Sequence, residues 1–264
     1  MNTATRKERE MKIIDFHTHP FILEEDNIKR YKETSDSTDA VVWEDTRRAG
    51  IDIICGAVLH VTGKTSLENM QVSNAHALLL AREHPGKYVP GILINPNYIA
   101  ESCAEIDKAR AAGTYLIGES NPRRMDFKAY SDPAYIEILT YGKEKGMIVS
   151  CHSTTEDDMT ALCEAIPHMP IVYAHPGEQE RVEMHIERMR THENVYLDLS
   201  GTGLFRYGML RHLINKVGKD RILFGTDYPI CNPAMYVHGV LYEKLTDAAY
   251  EAIFYKNAER LLKL

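Results

Sequence analysis

Short apolar runs alternate along the chain with segments whose apolar positions recur every three or four residues. Eight runs have strand character, at 12–16, 52–59, 88–94, 115–118, 147–151, 171–174, 195–199 and 222–225. Their near-continuous apolar character suits parallel strands covered by helices. Most follow glycine or another turn signal, such as Ala49-Gly50, Ala112-Gly113 and Lys145-Gly146. Helix C-termini require such residues.

The intervening segments carry helical spacing. Met159, Leu162, Cys163 and Ile166 fall at i, i+3, i+4 and i+7, and Thr155 with Asp158 reads as a capping box. Leu210, Leu213, Ile214 and Val217 repeat the spacing, as do Val182, Ile186 and Met189, and Ile253, Phe254, Asn257 and Leu261. Eight strand–helix units without a compositional break predict an α/β fold, a closed (β/α)8 TIM barrel over residues 11–264. An open doubly wound sheet is the rival, because periodicity does not report closure. Residues 1–10 read as a disordered tail. The connection at 21–39 is long and highly charged, and reads as either a solvated loop or a lid.

Composition narrows the classes. The 264 residues are 44% hydrophobic and 26% charged, as in an ordinary globular protein. Net charge is −7, and no basic run exceeds Arg123-Arg124 or Arg47-Arg48. A nucleic-acid groove needs clustered Lys and Arg, so no nucleic-acid partner is expected. No stretch approaches ~18 uninterrupted apolar residues, so no membrane span is expected. The five cysteines are scattered without a CxxC pair, which fits reduced thiols and a cytoplasmic setting.

Chemistry-bearing residues cluster at the strand ends. The first run ends in His17-Thr18-His19, and residues two apart on a strand share a face. The fourth ends at Glu119, the fifth at His152, the sixth at His175 and the eighth at Asp227. Each alone has a structural explanation, as a core histidine, an exposed acid or a helix cap. Together they would meet at one barrel mouth, where active sites are built. Imidazoles and carboxylates converging on one point are ligands for Zn²⁺, Mn²⁺ or Fe²⁺. Asp15 shares the face of His17 and would either bond a ligand imidazole or close the barrel floor. Alternation turns Cys151 outward as a core thiol and Tyr173 inward as barrel filling. The mouth loops offer His60, Asn95, Arg123, Arg124, Ser200, Thr202 and Tyr228, with Arg123, His60 and Tyr228 taken as substrate-binding. A guanidinium there would hold a substrate carboxylate in bidentate fashion. His76, His84, His168, His185, His192, His212 and His238 read as surface residues.

In this order, His17-x-His19, Glu119, His152, His175 and Asp227 resemble the amidohydrolase superfamily of metal-dependent hydrolases. The phrases IIDFHTHP, YAHPG, VYLDLSG, FGTDYP and KNAERLLKL are most similar to its amidohydrolase-related group. That group also contains metal-dependent decarboxylases and resembles aminocarboxymuconate-semialdehyde decarboxylase. The resemblance implies a distorted barrel holding one or two divalent ions, with Zn²⁺ favoured over Mn²⁺ or Fe²⁺. It implies that His17, His19 and Asp227 bind the more buried ion and His152 and His175 a second. Many two-metal members bridge their ions with a carboxylated lysine from the fourth strand. Glu119 takes that place here, as in TatD-type hydrolases. In one-metal members the counterpart of His152 is a ligand and that of His175 acts on substrate or water. Asp227 would then shuttle the water proton and His175 orient the water.

The function expected is hydrolysis of a small-molecule acyl bond in a lactone, ester or amide. The alternative is a nonoxidative decarboxylase or hydratase of a small unsaturated or aromatic acid, which a carboxylate-holding arginine would favour. A catalytically silent metal barrel is a third reading, although none of the six donors is missing. The expected partner is a small-molecule substrate, with homo-oligomer formation left open.

Overall fold

All eight apolar runs contain strands in the computed structural model, which describes residues 11–26, 38–60 and 66–264. The strands are β1 (Ile14–Asp15), β2 (Ile53–Ala57), β3 (Tyr88–Ile92), β4 (Leu116–Ser120), β5 (Ile148–Cys151), β6 (Ile171–Tyr173), β7 (Val195–Asp198) and β8 (Ile222–Leu223). Each pairs in parallel with the next, in the order β1 to β8. Backbone bonds then join the two ends. Phe16 N–H donates to Phe224 O at 2.9 Å, Asp227 N–H to His17 O at 2.8 Å and His19 N–H to Tyr228 O at 2.7 Å. The sheet therefore closes into a (β/α)8 barrel, and the open doubly wound sheet is excluded.

The helices are α1 (Asp39–Arg48), α2 (Leu67–Glu83), α3 (Ile99–Ala111), α4 (Pro122–Met125), α5 (Pro133–Glu144), α6 (Glu156–Ala165), α7 (Gln179–Thr191), α8 (Met209–Val217), α9 (Pro233–Tyr242), α10 (Asp247–Glu251) and α11 (Asn257–Leu262). A π-helical turn, Ala252–Lys256, joins α10 to α11. The expected faces pack as the spacing requires, with Met159, Leu162 and Cys163 buried on α6 and Val182, Ile186 and Met189 on α7. The capping box does not form. Thr155 makes no side-chain cap, and the Asp158 carboxylate instead accepts from Thr154 Oγ1 and Ser131 N–H, both at 3.1 Å.

Two apolar layers result. The larger lies between strands and helices. The smaller fills the barrel interior with Ile14, Phe16, Leu116, Ile148, Val172 and Leu223, against Ala258, Leu261 and Leu262 of α11. The C-terminal helix thus stoppers the floor, and burial of each such leucine contributes roughly 1.5–3 kcal/mol. The opposite end is left for polar groups. Gly56 brings β2 against the end of β1, since a Cβ there would lie 2.0 Å from the Thr18 carbonyl oxygen.

Some expectations are corrected. Tyr173 faces outward, its hydroxyl donating to Met159 O of α6 at 2.6 Å. Strict alternation fails beyond it because His175 adopts a left-handed φ of 68°. His185 is buried on α7, not at the surface. Residues 1–10 and 27–37, where the tail and most of the long connection fall, lie outside the described residues. No helix among the described residues is long and apolar enough to cross a membrane.

Candidate metal centre

The barrel mouth gathers the six donors that the strand ends offer. His17 and His19 leave β1, and their Nε2 atoms stand 3.3 Å apart. Asp227 reaches them from the end of β8, where a left-handed φ of 67° turns the chain. Its Oδ1 lies 3.6 Å from His17 Nε2 and 3.5 Å from His19 Nε2. Glu119 sits where the β4–β5 register shifts between Ile117 and Ser120, an irregularity that re-aims a side chain. Its Oε2 lies 3.8 Å from His17 Nε2 and 3.6 Å from His19 Nε2. Its Oε1 faces the other way, 2.8 Å from His152 Nδ1 and 3.4 Å from His175 Nε2.

Partners behind the rings set their tautomers. His17 Nδ1 meets Asp198 Oδ2 at 2.9 Å, and His19 Nδ1 meets Ala57 O at 3.1 Å. A proton on each Nδ1 leaves an Nε2 lone pair facing the centre, as a metal-ligating histidine requires. Ser200 Oγ lies 3.2 Å from His17 Nδ1 and 3.1 Å from His175 Nδ1, and bonds Asp198. Gly201 makes room for the His175 ring, since a Cβ there would lie 2.3 Å from its Nδ1.

The charges are those of a cation site. Glu119, Asp227 and Asp198 bring three carboxylates into a mouth where each is at least nine-tenths buried. Burial pushes the His17 imidazole down, but Asp198, Glu119 and Asp227 outweigh it and raise it to about 10. Burial likewise opposes protonation of His19 and His175, and carboxylates again prevail: Asp227 and Glu119 for His19, Glu119 for His175. Burial alone would raise Glu119, yet His17, His152, His175 and His19 hold it well below the usual range. The proton held on His17 thus does the work of a positive ion.

The spacings agree. Separations of 3.3–3.8 Å around Nε2 of His17 and His19 exceed hydrogen-bond lengths. They approach the roughly 3–3.5 Å between ligand atoms on one ion with ~2.1 Å bonds. The residues therefore fit a divalent metal. One donor set is His17, His19, Asp227 and Glu119 Oε2; a second is Glu119 Oε1, His152 and His175.

The other expected residues fall elsewhere. Asp15 is buried and bonds no imidazole; its carboxylate accepts from the His17 and Thr226 backbone N–H groups at 3.1 and 3.0 Å. Burial raises it to about 7, against hydrogen bonds from Thr226 and His17. It ties β1 to the β8 end. Tyr228 turns its hydroxyl to Asp45 of α1 at 3.0 Å. His60 meets Asp26 at 2.7 Å. Asn95 is buried and donates to Met125 O at 2.8 Å. Thr202 is exposed, with its carbonyl accepting from Gly177 N–H at 2.8 Å. Arg123 is exposed, whereas Arg124, its neighbour on α4, is half-buried. The Arg124 guanidinium has no hydrogen bond or ion pair among the described residues. Burial lowers its pKa, partly offset by the nearby charges of Glu119 and Asp227.

Asp198 was not anticipated. Its mark was an acid at a strand's C-terminal end, in VYLDLSG, the same mark that picks out Asp227.

Comparison with known proteins agrees with the barrel fold. Among solved structures, a TIM-barrel protein of uncharacterised function from Bordetella bronchiseptica is 21% identical with a TM-score of 0.76, covering 95% of this chain and 98% of that one. The 2,6-dihydroxybenzoate decarboxylase from Rhizobium is 16% identical with a TM-score of 0.75, covering 96% and 99%. A dihydroxybenzoic acid decarboxylase from Polaromonas sp., with bound manganese and 2-nitroresorcinol, is 16% identical with a TM-score of 0.70, covering 96% and 97%. A search of curated proteins found no significant match. The amidohydrolase family model matches residues 14–264, so the chain belongs to the amidohydrolase family and is a metal-dependent enzyme.

Proposed function

We propose that the chain is a metal-dependent nonoxidative decarboxylase of a small unsaturated or aromatic carboxylic acid. The observation that carries this reading is Arg124, a half-buried guanidinium without a partner among the described residues, electrostatically coupled to Glu119 and Asp227. A half-buried cation lacking a partner among the described residues invites an anionic ligand, and guanidinium matches a carboxylate in bidentate fashion. Two of the three similar structures described above carry decarboxylase names, which supports the same class.

His17, His19, Asp227 and Glu119 would hold the ion, with Glu119, His152 and His175 offered to a second. The mixed nitrogen and oxygen donors suit Mn²⁺, Zn²⁺ or Fe²⁺, and manganese in the Polaromonas structure puts Mn²⁺ beside Zn²⁺ as a candidate. When bound, the ion supplies Lewis acidity toward a substrate oxygen. Arg124 anchors the carboxylate. Asp227 delivers a proton to the carbon bearing that carboxylate, using a π electron pair of the substrate. The bond to the carboxyl carbon then breaks, its electron pair restores the π system, and CO₂ leaves. Asp227 recovers its proton from water. His175 lines the same mouth and orients the reacting group.

Hydrolysis of a lactone, ester or amide is the second reading, favoured by Glu119. Its two oxygens face separate donor sets, 3.6 Å from His19 Nε2 and 2.8 Å from His152 Nδ1, as a carboxylate between two ions would. There Asp227 takes the proton of an attacking water and passes it to the leaving group. The test is a screen of Mn²⁺- and Zn²⁺-loaded protein against unsaturated and aromatic acids, lactones, esters and amides, with CO₂ and proton release measured separately. CO₂ from an acid is expected. Proton release without CO₂ from an ester, lactone or amide moves the assignment to hydrolysis, and no CO₂ from any acid overturns the decarboxylase reading.

A further inference from the structure

Beside the metal centre lies a second gathering of donors that its chemistry does not use. Asp26 ends a 3-10 turn, Glu24–Asp26, after β1. His60 follows β2, and His76 lies on α2. The Asp26 side chain is fully buried, whereas the two imidazoles are about one-fifth exposed. His60 Nδ1 stands 2.7 Å from Asp26 Oδ1. His76 Nδ1 stands 2.9 Å from Oδ2 and 3.1 Å from Oδ1. The rings meet edge to face, with centroids 5.6 Å apart. One donor atom from each residue lies within 4.8 Å of the other two.

The cluster is built rather than incidental. Its members come from three separate elements, so no local sequence preference brings them together. The Asp26 carboxylate is pinned by the backbone N–H groups of Ile22 and Leu23, at 3.2 and 3.1 Å. The His60 backbone N–H donates to Ser73 Oγ, one turn before His76 on α2, at 3.0 Å. Outer bonds of this kind orient the ligands of metal sites. Partial exposure of both rings leaves an open side on which water would complete a coordination shell.

We propose that Asp26, His60 and His76 form a further cation site that takes a transition-metal dication through two imidazole Nδ1 atoms and one carboxylate. Two imidazoles with a carboxylate are a donor set for Zn²⁺, Mn²⁺ or Fe²⁺. Without an ion, each Nδ1–H donates to Asp26. Ion entry shifts each ring to its Nε2–H tautomer and turns the Nδ1 lone pair inward, with no net proton change. The ion would tie Asp26 and His60 to α2. This site does not depend on which reaction the main centre runs.

The test is diffraction at the zinc absorption edge from crystals of the full chain grown with ZnCl₂. An anomalous peak between Asp26, His60 and His76 is expected. Its absence in crystals whose His17–His19 centre is filled overturns the proposal, and the triad is then a hydrogen-bonded clamp. In solution, protein stripped by chelator, reloaded with Zn²⁺ and desalted is assayed for zinc. His76→Gln and the pair His60→Gln/His76→Gln should each lose one equivalent relative to wild type. A count unchanged in folded His76→Gln contradicts the site, and circular dichroism checks the fold.

Discussion

Asp198 Oδ2 lies 2.9 Å from Nδ1 of His17, on the side of the ring opposite the donors that face Nε2. The fully buried carboxylate fixes the tautomer that lets His17 present a lone pair, and raises the basicity of that ligand. Asp198→Asn can present an amide N–H to Nδ1, which favours the wrong tautomer. Metal affinity should fall about 10–100-fold, the usual cost of losing such a partner. Competition against a chromophoric chelator measures it. Affinity unchanged from wild type would remove Asp198 from the support of the centre.

In the proposed reaction Asp227 combines a donor position with a proton-handling role. Asp227→Asn keeps the size of the side chain and can still offer one oxygen, but it cannot exchange a proton at that oxygen. Turnover should fall by about 10²–10⁴-fold, the usual contribution of general acid–base catalysis, with the thermal unfolding midpoint little changed. A kcat within twofold of wild type in the metal-loaded variant would exclude Asp227 as the proton carrier.

Variants of Arg124 and Arg123 separate the proposed substrate anchor from a surface charge. Arg124→Ala should raise KM for the acid by about 10–100-fold, corresponding to the roughly 1.5–3 kcal/mol of a hydrogen bond to a charged group. Arg124→Lys should recover only part of this, because an ammonium lacks the planar fork. Arg123→Ala should change little. Steady-state kinetics on the three variants decide the assignment, and equal effects at the two positions would contradict it.

The barrel was legible because each strand run is apolar on both faces and each helix carries one apolar stripe. Closure was not legible, since Phe16–Phe224 and His19–Tyr228 pairing leaves no mark in periodicity. Of the candidate site, the six residues brought together at the mouth stood out as polar residues at the ends of apolar runs. Two kinds of detail were hidden. Left-handed backbone at His175 breaks strict alternation, so His175 reaches the mouth although Tyr173 points outward. Packing between distant elements decides which of two adjacent arginines is half-buried, and side-chain pairing draws His60 to Asp26 and Tyr228 to Asp45. Those partners lie on other elements, far away in sequence.

His185 illustrates the same limit and gives stability a pH dependence. It lies on α7 among surface-like residues, yet it is 1% exposed, with Nδ1 3.0 Å from Arg188 Nη1. Burial, with the charges of Arg188 and Arg181, lowers it to about 3. An unfolded imidazole takes up its proton near pH 6.5. Between about pH 6.5 and 3 the unfolded chain therefore binds the extra proton, and this contribution to stability is lost as pH falls. Above pH 6.5 it is fully present. The slope is about 1.4 kcal/mol per pH unit inside that window. His185→Gln keeps an acceptor toward Arg188 but does not titrate. Urea unfolding of both proteins at pH 7 and pH 5 isolates the effect, because the acid sensitivity of the metal centre is common to both. Wild type should lose more stability than the variant on acidification, by about 2 kcal/mol over the 1.5 units below pH 6.5. Parallel losses in the two proteins would show that His185 is already protonated in the native state.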